Sequence, residues 1–321
     1  MKIDIARQPL VPAFMTLFAL AVAAMCAGIP VSDTSGAVRD ALPLLGGQLA
    51  RFQAAYPVWS KFAAGFMLLF TGMCAGRITI RYNLYTVGTC LPIPLYAIVA
   101  CGIATGGNYL AGFAASMLLA LATKNYCRAF CNGYGFDAIF RASLYLGLMP
   151  LVYAPGLPML LLLPLAVLLF RRTLREVAVA TAGLLLPVFT ACYVSWGTGA
   201  EFTAPLIKLG QSAIEGMPLH LFLDIPLPAL VMAGGIVLLD LTALFFFLAD
   251  IYAAGTKPRF ILFYNIGILI LTLAVLCALL AVPSAILIPV FFVRIHRGIA
   301  LPVYLIFLAA AFAGIFLQYY I

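Results

Sequence analysis

The chain of 321 residues is 65% hydrophobic and only 9% charged, with a mean hydropathy of +1.15, whereas soluble domains carry about a quarter of their residues as charges. A soluble globular protein is excluded. The net charge of +8 would suggest nucleic acid in a soluble chain, but these basic residues cap apolar runs, so they read as topology signals and contacts to anionic membrane lipids, with no nucleic-acid partner.

Lys2 and Arg7 precede the run Leu10 to Ile29. That run is longer than the apolar core of about 7 to 15 residues in a secretory signal, so it reads as a first membrane helix. Further runs lie at Val58 to Gly76, Leu84 to Ile103, Tyr109 to Thr123, Val177 to Trp196, Leu227 to Ala249, Phe260 to Ala281 and Leu301 to Tyr320. Each approaches the roughly 20 residues needed to cross hydrocarbon.

Charge decides the two remaining stretches. Ala142 to Phe170 stands between Arg141 and the block Arg171, Arg172 and Arg175, and Pro283 to Val293 precedes Arg294 and Arg297. If basic flanks stay in the cytoplasm, each stretch belongs to a hairpin, turning at Tyr153-Ala154-Pro155-Gly156 and near Val282-Pro283-Ser284. The fold class expected is therefore an all-α, polytopic transmembrane bundle of about 11 segments, N-terminus inside and C-terminus outside. Of the 18 basic residues, 14 then face the cytoplasm, the four outside being Arg39, Arg51, Lys61 and Lys208.

Some hairpin legs would rise only about 15 to 21 Å against a hydrocarbon core of roughly 30 Å. Two outcomes follow. Backbone left at membrane depth lines a cavity, here open to the outer face where both breakers turn, or tilt and bilayer thinning absorb the mismatch.

The organisation is a single integral membrane domain over residues 1–321. Residues 31–57 form an outer amphipathic loop in which leucines and alanines of Val38 to Phe52 alternate with Arg39, Asp40, Gln48 and Arg51, and residues 203–226 form a second. Residues 124–141 mix Arg128, Asp137 and Arg141 with aromatics as a cytoplasmic interfacial segment. The eight cysteines lie mostly inside apolar runs and imply neither a disulfide framework nor a metal site, since no histidine or second pair completes Cys127 and Cys131.

Asp240 is the ionisable residue deep in a long run. It reads either as a proton carrier or substrate ligand, or as a hydrogen-bonded carboxyl tying two helices together. Asp33 and Asp40, beyond the outer end of the first run, offer oxygen to a divalent cation or a general base, or are capping and turn residues solvated in a loop. His220 and Asp224, four apart, would make an oriented acid/base pair if helical, or a solvated surface pair. Arg77 and Arg81 have the spacing to clamp a lipid phosphate and equally serve as end anchors. No phosphate-binding glycine loop, nucleophile elbow or metal-protease helix appears, and the sequence does not identify a cofactor.

The stretches RITIRYNL at Arg77 to Leu84, Tyr109 to Arg128, and above all Ala142 to Phe202 resemble a domain-of-unknown-function family of polytopic bacterial inner-membrane proteins. That resemblance implies a multi-pass inner-membrane location. The helix-breaker-helix pattern and basic turn within Gly147 to Pro187 are similar, more loosely, to the GT-C glycosyltransferase superfold. This similarity implies a part in envelope glycan assembly on a lipid-linked saccharide, with Asp33 or Asp40 as base or metal ligand. The paired acidic motif of that superfold does not stand at the exit of the first run. The alternatives are a transporter or flippase using Asp240, and a non-catalytic scaffold of a membrane complex. Cysteines introduced at Arg171 and Arg294 should react with an impermeant thiol reagent in inside-out but not right-side-out vesicles; labelling from opposite sides would dissolve both hairpins.

Overall fold

The computed structural model describes residues 5–26, 44–103, 109–132, 135–215, 227–251, 255–273 and 278–320. Every regular element among them is helical: α1 (Leu10–Cys26), α2 (Leu44–Ala55), α3 (Pro57–Arg81), α4 (Pro92–Ile103), α5 (Tyr109–Asn132), α6 (Phe136–Val152), α7 (Leu162–Leu169), α8 (Leu174–Gly197), α9 (Ala204–Glu215), α10 (Leu227–Ala249), α11 (Thr256–Leu273), α12 (Ala281–Arg294) and α13 (Arg297–Tyr320). Short 3-10 stretches cover Ile5–Arg7, Ala154–Leu161 and Ala278–Leu280. Among the described residues, α3, α8, α10, α11 and α13 hold segments long and apolar enough to cross a membrane. This matches the expected helical bundle and the character of a membrane protein.

The chain divides into two compact units, one made of Met1–Pro30, Lys61–Thr105 and Ile225–Ile321, the other of Val31–Ser60 and Gly106–Asp224. In the second, α6 packs against both α5 and α8. Its closest approach to α8 uses glycine: a Cβ at Gly147 would stand 2.2 Å from the Leu184 carbonyl oxygen, and one at Gly183 2.7 Å from that of Phe140. Small residues let helix backbones meet where apolar burial alone gives little drive. On the other side of α6, the buried hydroxyls of Tyr126 and Ser143 hydrogen-bond at 2.8 Å.

Helix ends are built from local chemistry. The amides of Leu84, Arg172 and Ala200 reach back to the carbonyls of Thr79, Val167 and Ser195, while Asn83, Arg171 and Gly199 take positive φ of 45°, 49° and 86°. These are Schellman ends, with asparagine and glycine at two of the left-handed positions and, against preference, arginine at the third. Two residues later Thr173 caps α8 in a reciprocal box with Glu176, whose carboxylate also takes Arg172 at 3.2 Å. The basic block thus sits in a tight turn.

Two long helices have unlike ends. α3 begins with Tyr56 and the exposed Trp59 and finishes with Arg77 and Arg81; α8 begins beside Arg172 and Arg175 and finishes with the exposed Tyr193 and Trp196. The spacing from Trp59 to Arg77 and from Arg175 to Trp196 is about 27 to 32 Å of helix, matching the thickness of a hydrocarbon core with aromatics at one interface.

In the first unit the shortest apolar helices occupy the interior. All 12 residues of α4 are buried, as are the first nine of α12, and α4 packs against α1, α10, α12 and α13. Close approach again falls on glycine, since a Cβ at Gly76 of α3 would stand 2.3 Å from Ile93 of α4.

Three expectations need correction. The run Leu84 to Ile103 is not one helix: α3 ends at Arg81, residues 82–91 form a connection in which Asn83 takes a left-handed backbone, and helix resumes only at Pro92. The turn expected near Val282-Pro283-Ser284 is helical, with Pro283 in the first turn of α12, where its missing N–H leaves no bond unmade. Helix α11 is described to Leu273, and the chain is described again from the 3-10 stretch Ala278–Leu280 that leads into α12. The first leg expected from Ala142 is also longer, because α6 starts at Phe136; its end at Tyr153, in extended geometry before Pro155, lies where the breaker was expected. Residues 124–132 continue α5, and 136–141 open α6.

Replacing Gly147 by leucine should separate α6 from α8 and lower the thermal midpoint in detergent by an amount corresponding to about 1 to 3 kcal/mol or more. Thr173→Ala should cost about 1 kcal/mol through the lost cap. Equal stability of Gly147→Leu and the parent chain would contradict the backbone contact.

Candidate functional site

A carboxyl group in an apolar bundle needs a partner, because burying an unmatched polar atom costs about 1 to 3 kcal/mol and a charge far more. Asp240, midway along α10, is 1% exposed. Ser284 Oγ in α12 donates to its Oδ2 at 2.5 Å. Among the described residues its other oxygen, Oδ1, is buried with no hydrogen-bond partner. The carboxyl therefore does tie two helices together, and it also keeps an acceptor unused in the core.

The same two helices meet again ten residues further on, where the Arg294 guanidinium pairs with the Asp250 carboxylate. Between them the rings of Phe246 and Phe291 lie 6.2 Å apart. Since Asp240–Ser284, Phe246–Phe291 and Asp250–Arg294 advance together along both helices, α10 and α12 run in the same direction. α11 must then run back between them, which puts the ends carrying Asp250 and Arg294 side by side.

At that end lies a cleft of about 50 Å³, space for one or two water molecules. Its walls include Tyr85 of the α3–α4 connection, Phe247 of α10, Leu262 of α11 and Val290 of α12, together with Asp250 and Arg294. The Tyr85 hydroxyl donates to the Ile286 carbonyl oxygen at 2.6 Å, anchoring the connection to α12 two residues from Ser284. The cleft stands at the opposite end of α12 from Pro283, not at the breaker where an outer cavity was expected.

Of the candidates named from the sequence, Asp240 is thus placed in a defined polar contact. Arg77 and Arg81 are exposed on the last turns of α3, with Arg81 over the Tyr82 ring at 6.0 Å. Asp33, Asp40, His220 and Asp224 lie outside the described residues, so the glycosyltransferase expectation gains no geometry. Among the described residues no group of three metal-ligating side chains occurs.

Sequence reasoning missed four participants. From the sequence Ser284 reads as a turn residue and Arg294 as a cytoplasmic flank, Asp250 draws no notice at a helix end, and Tyr85 falls inside a span. The equal spacing of Asp240 to Asp250 and Ser284 to Arg294 was the available signal. No family model, characterised protein or solved structure matches the chain.

The Asp240–Ser284 contact can be tested by a double-mutant cycle. Ser284→Ala should destabilise the protein by about 1 to 3 kcal/mol because it strands both carboxyl oxygens, whereas in an Asp240→Leu background it should cost under about 0.5 kcal/mol. An equal cost in both backgrounds would mean that the hydroxyl and carboxyl do not interact.

Proposed function

We propose that the protein is a multi-pass transporter or flippase of the bacterial inner membrane, with its N-terminus in the cytoplasm and Asp240 as the polar centre of its transport pathway. The observation that carries this reading is a buried carboxyl with one unused oxygen, held against a helix too short to span hydrocarbon. An ionisable group inside a membrane bundle is expensive and marks ion or substrate pathways by default. Short and interrupted helices near the midplane are the elements from which transporter sites are built.

Two features support the combination. α4 and α12 rise about 18 and 21 Å against the roughly 30 Å of a hydrocarbon core, and their burial shields backbone ends that lipid would leave unsatisfied. Asp240 Oδ1 and Asn265 Oδ1, both buried, are acceptors, which suits a proton or a cargo bearing N–H or O–H groups. Membrane lipids are the immediate partners in this reading, and a lipid-linked saccharide is one member of the cargo class.

In inside-out vesicles, an imposed pH gradient should drive uptake of one or more compounds from a panel of labelled polar metabolites and short-chain lipid-linked sugars, with accompanying proton movement seen by an internal pH dye. Asp240→Asn should reduce both signals at least tenfold while leaving the protein inserted. Gradient-driven uptake that survives Asp240→Asn would refute the assignment.

A further inference from the structure

Three helix faces that line the cleft continue past it into the core, and each carries a polar atom at depth. On α10, Phe247 is at the cleft and Asp240 lies two turns above it, with the small, buried Ala243 between; intervals of four and three residues keep all three on one face. On α11, Leu262 is at the cleft and Asn265 lies one turn above. Asn265 is fully buried, its amide nitrogen donates to the Ile261 carbonyl at 2.8 Å, and its Oδ1 is buried with no partner among the described residues. On α12, Val290 is at the cleft and Ile286, whose carbonyl holds Tyr85, lies one turn above. Measured along the helices, the polar atoms of Asn265, Tyr85 and Asp240 thus stand at successive depths within about 15 Å of the cleft end.

A buried acceptor with no donor requires an explanation such as water or an ion reaching it. Here two of them, Asn265 Oδ1 and Asp240 Oδ1, stand on faces that begin in one small cleft. Lining that cleft is also an ion pair, Asp250–Arg294, whose side chains are 46% and 37% exposed. Such a solvent-accessible pair contributes little to stability, because water and salt screen the attraction. It is weak enough to open and close, and it joins the ends of the two helices that also hold the carboxyl site.

We infer that the cleft is the mouth of an access route for water and small cations to Asp240, that Asn265 and Tyr85 are positioning residues along it, and that the Asp250–Arg294 pair is its gate. This inference rests on the reading of Asp240 as the transport centre and names how that centre is reached. In the topology above, the mouth faces the cytoplasm, beside Lys257 and Arg297. With the pair made, α10 and α12 are clamped at both Asp240–Ser284 and Asp250–Arg294; with it broken, the lower halves of the helices are free to part around Ala243.

The test reads solvent access rather than transport. Val290→Cys, at the cleft, is treated in inside-out vesicles with a trimethylammonium-ethyl thiosulfonate reagent, and its rate is taken above that of the parent chain. It should react slowly with the native pair and at least tenfold faster when Asp250→Asn and Arg294→Gln break the pair without changing net charge. Exchanging the two charges, Asp250→Arg with Arg294→Asp, should return the slow rate. Thr86→Cys, exposed at the rim, should react at one rate in every background and so reports that the variants are folded. An unchanged Val290→Cys rate alongside normal Thr86→Cys labelling would overturn the gate, even if Asp240→Asn abolishes uptake. Conversely, gated labelling with uptake indifferent to Asp240→Asn would leave the route standing and remove the transport assignment.

Discussion

Backbone amides and carbonyls inside hydrocarbon have no water to bond, and this constraint accounts for the arrangement of the first compact unit. A helix of 12 or 14 residues cannot carry its ends to both interfaces. α4 and α12 are therefore the helices that lie inside protein, and the longer, more exposed α10 and α13 stand around them. Burial of α12 in turn allows polar side chains at its flank. Ser284 reaches Asp240 there, and the hydroxyl of Tyr85 takes a carbonyl of the same helix. A lipid-facing helix would offer neither group a partner.

The two polar links between α10 and α12 differ in chemistry because they differ in surroundings. Asp240 meets a neutral hydroxyl deep in the core, where parting them leaves a buried carboxyl without that hydrogen bond. Asp250 meets a guanidinium near the helix ends, where water competes and the net gain is small. One contact thus holds register while the other is readily exchanged. Parallel helices with one firm and one labile link can splay from the labile end without losing alignment.

Much of the fold is legible in the sequence because it follows from composition. Apolar length and the placement of arginines mark α3, α8, α10, α11 and α13, and the Pro155-Gly156 breaker marks the end of α6. Proline position was harder to read. Pro155 ends a helix while Pro283 and Pro92 open helices, and the difference depends on where the preceding helix stops, which for α3 is set by Asn83 adopting a left-handed backbone. The site was legible only in its costliest member. Asp240 stands out as a charge within an apolar run, but Ser284, Asn265 and Tyr85 are uncharged residues of a kind that membrane helices tolerate anywhere, and only helix pairing singles them out.

The direction of the helices also bears on the charge argument that began with the sequence. Because α10 and α12 are parallel, one return through α11 must separate them, and Asp250, Lys257 and Arg294 gather at one end of the three helices without any appeal to the positive-inside rule. The rule was applied to lysines and arginines alone, yet packing of uncharged residues, Phe246 on Phe291 and Ser284 on Asp240, leads to the same grouping. What charge cannot supply is the depth of the intervening turn, since a basic residue marks the side on which a segment ends and carries no information about how far the preceding segment travelled. That distance is set by the 14 residues of α12, and it is the quantity that separates a full crossing from a helix that ends inside the bundle.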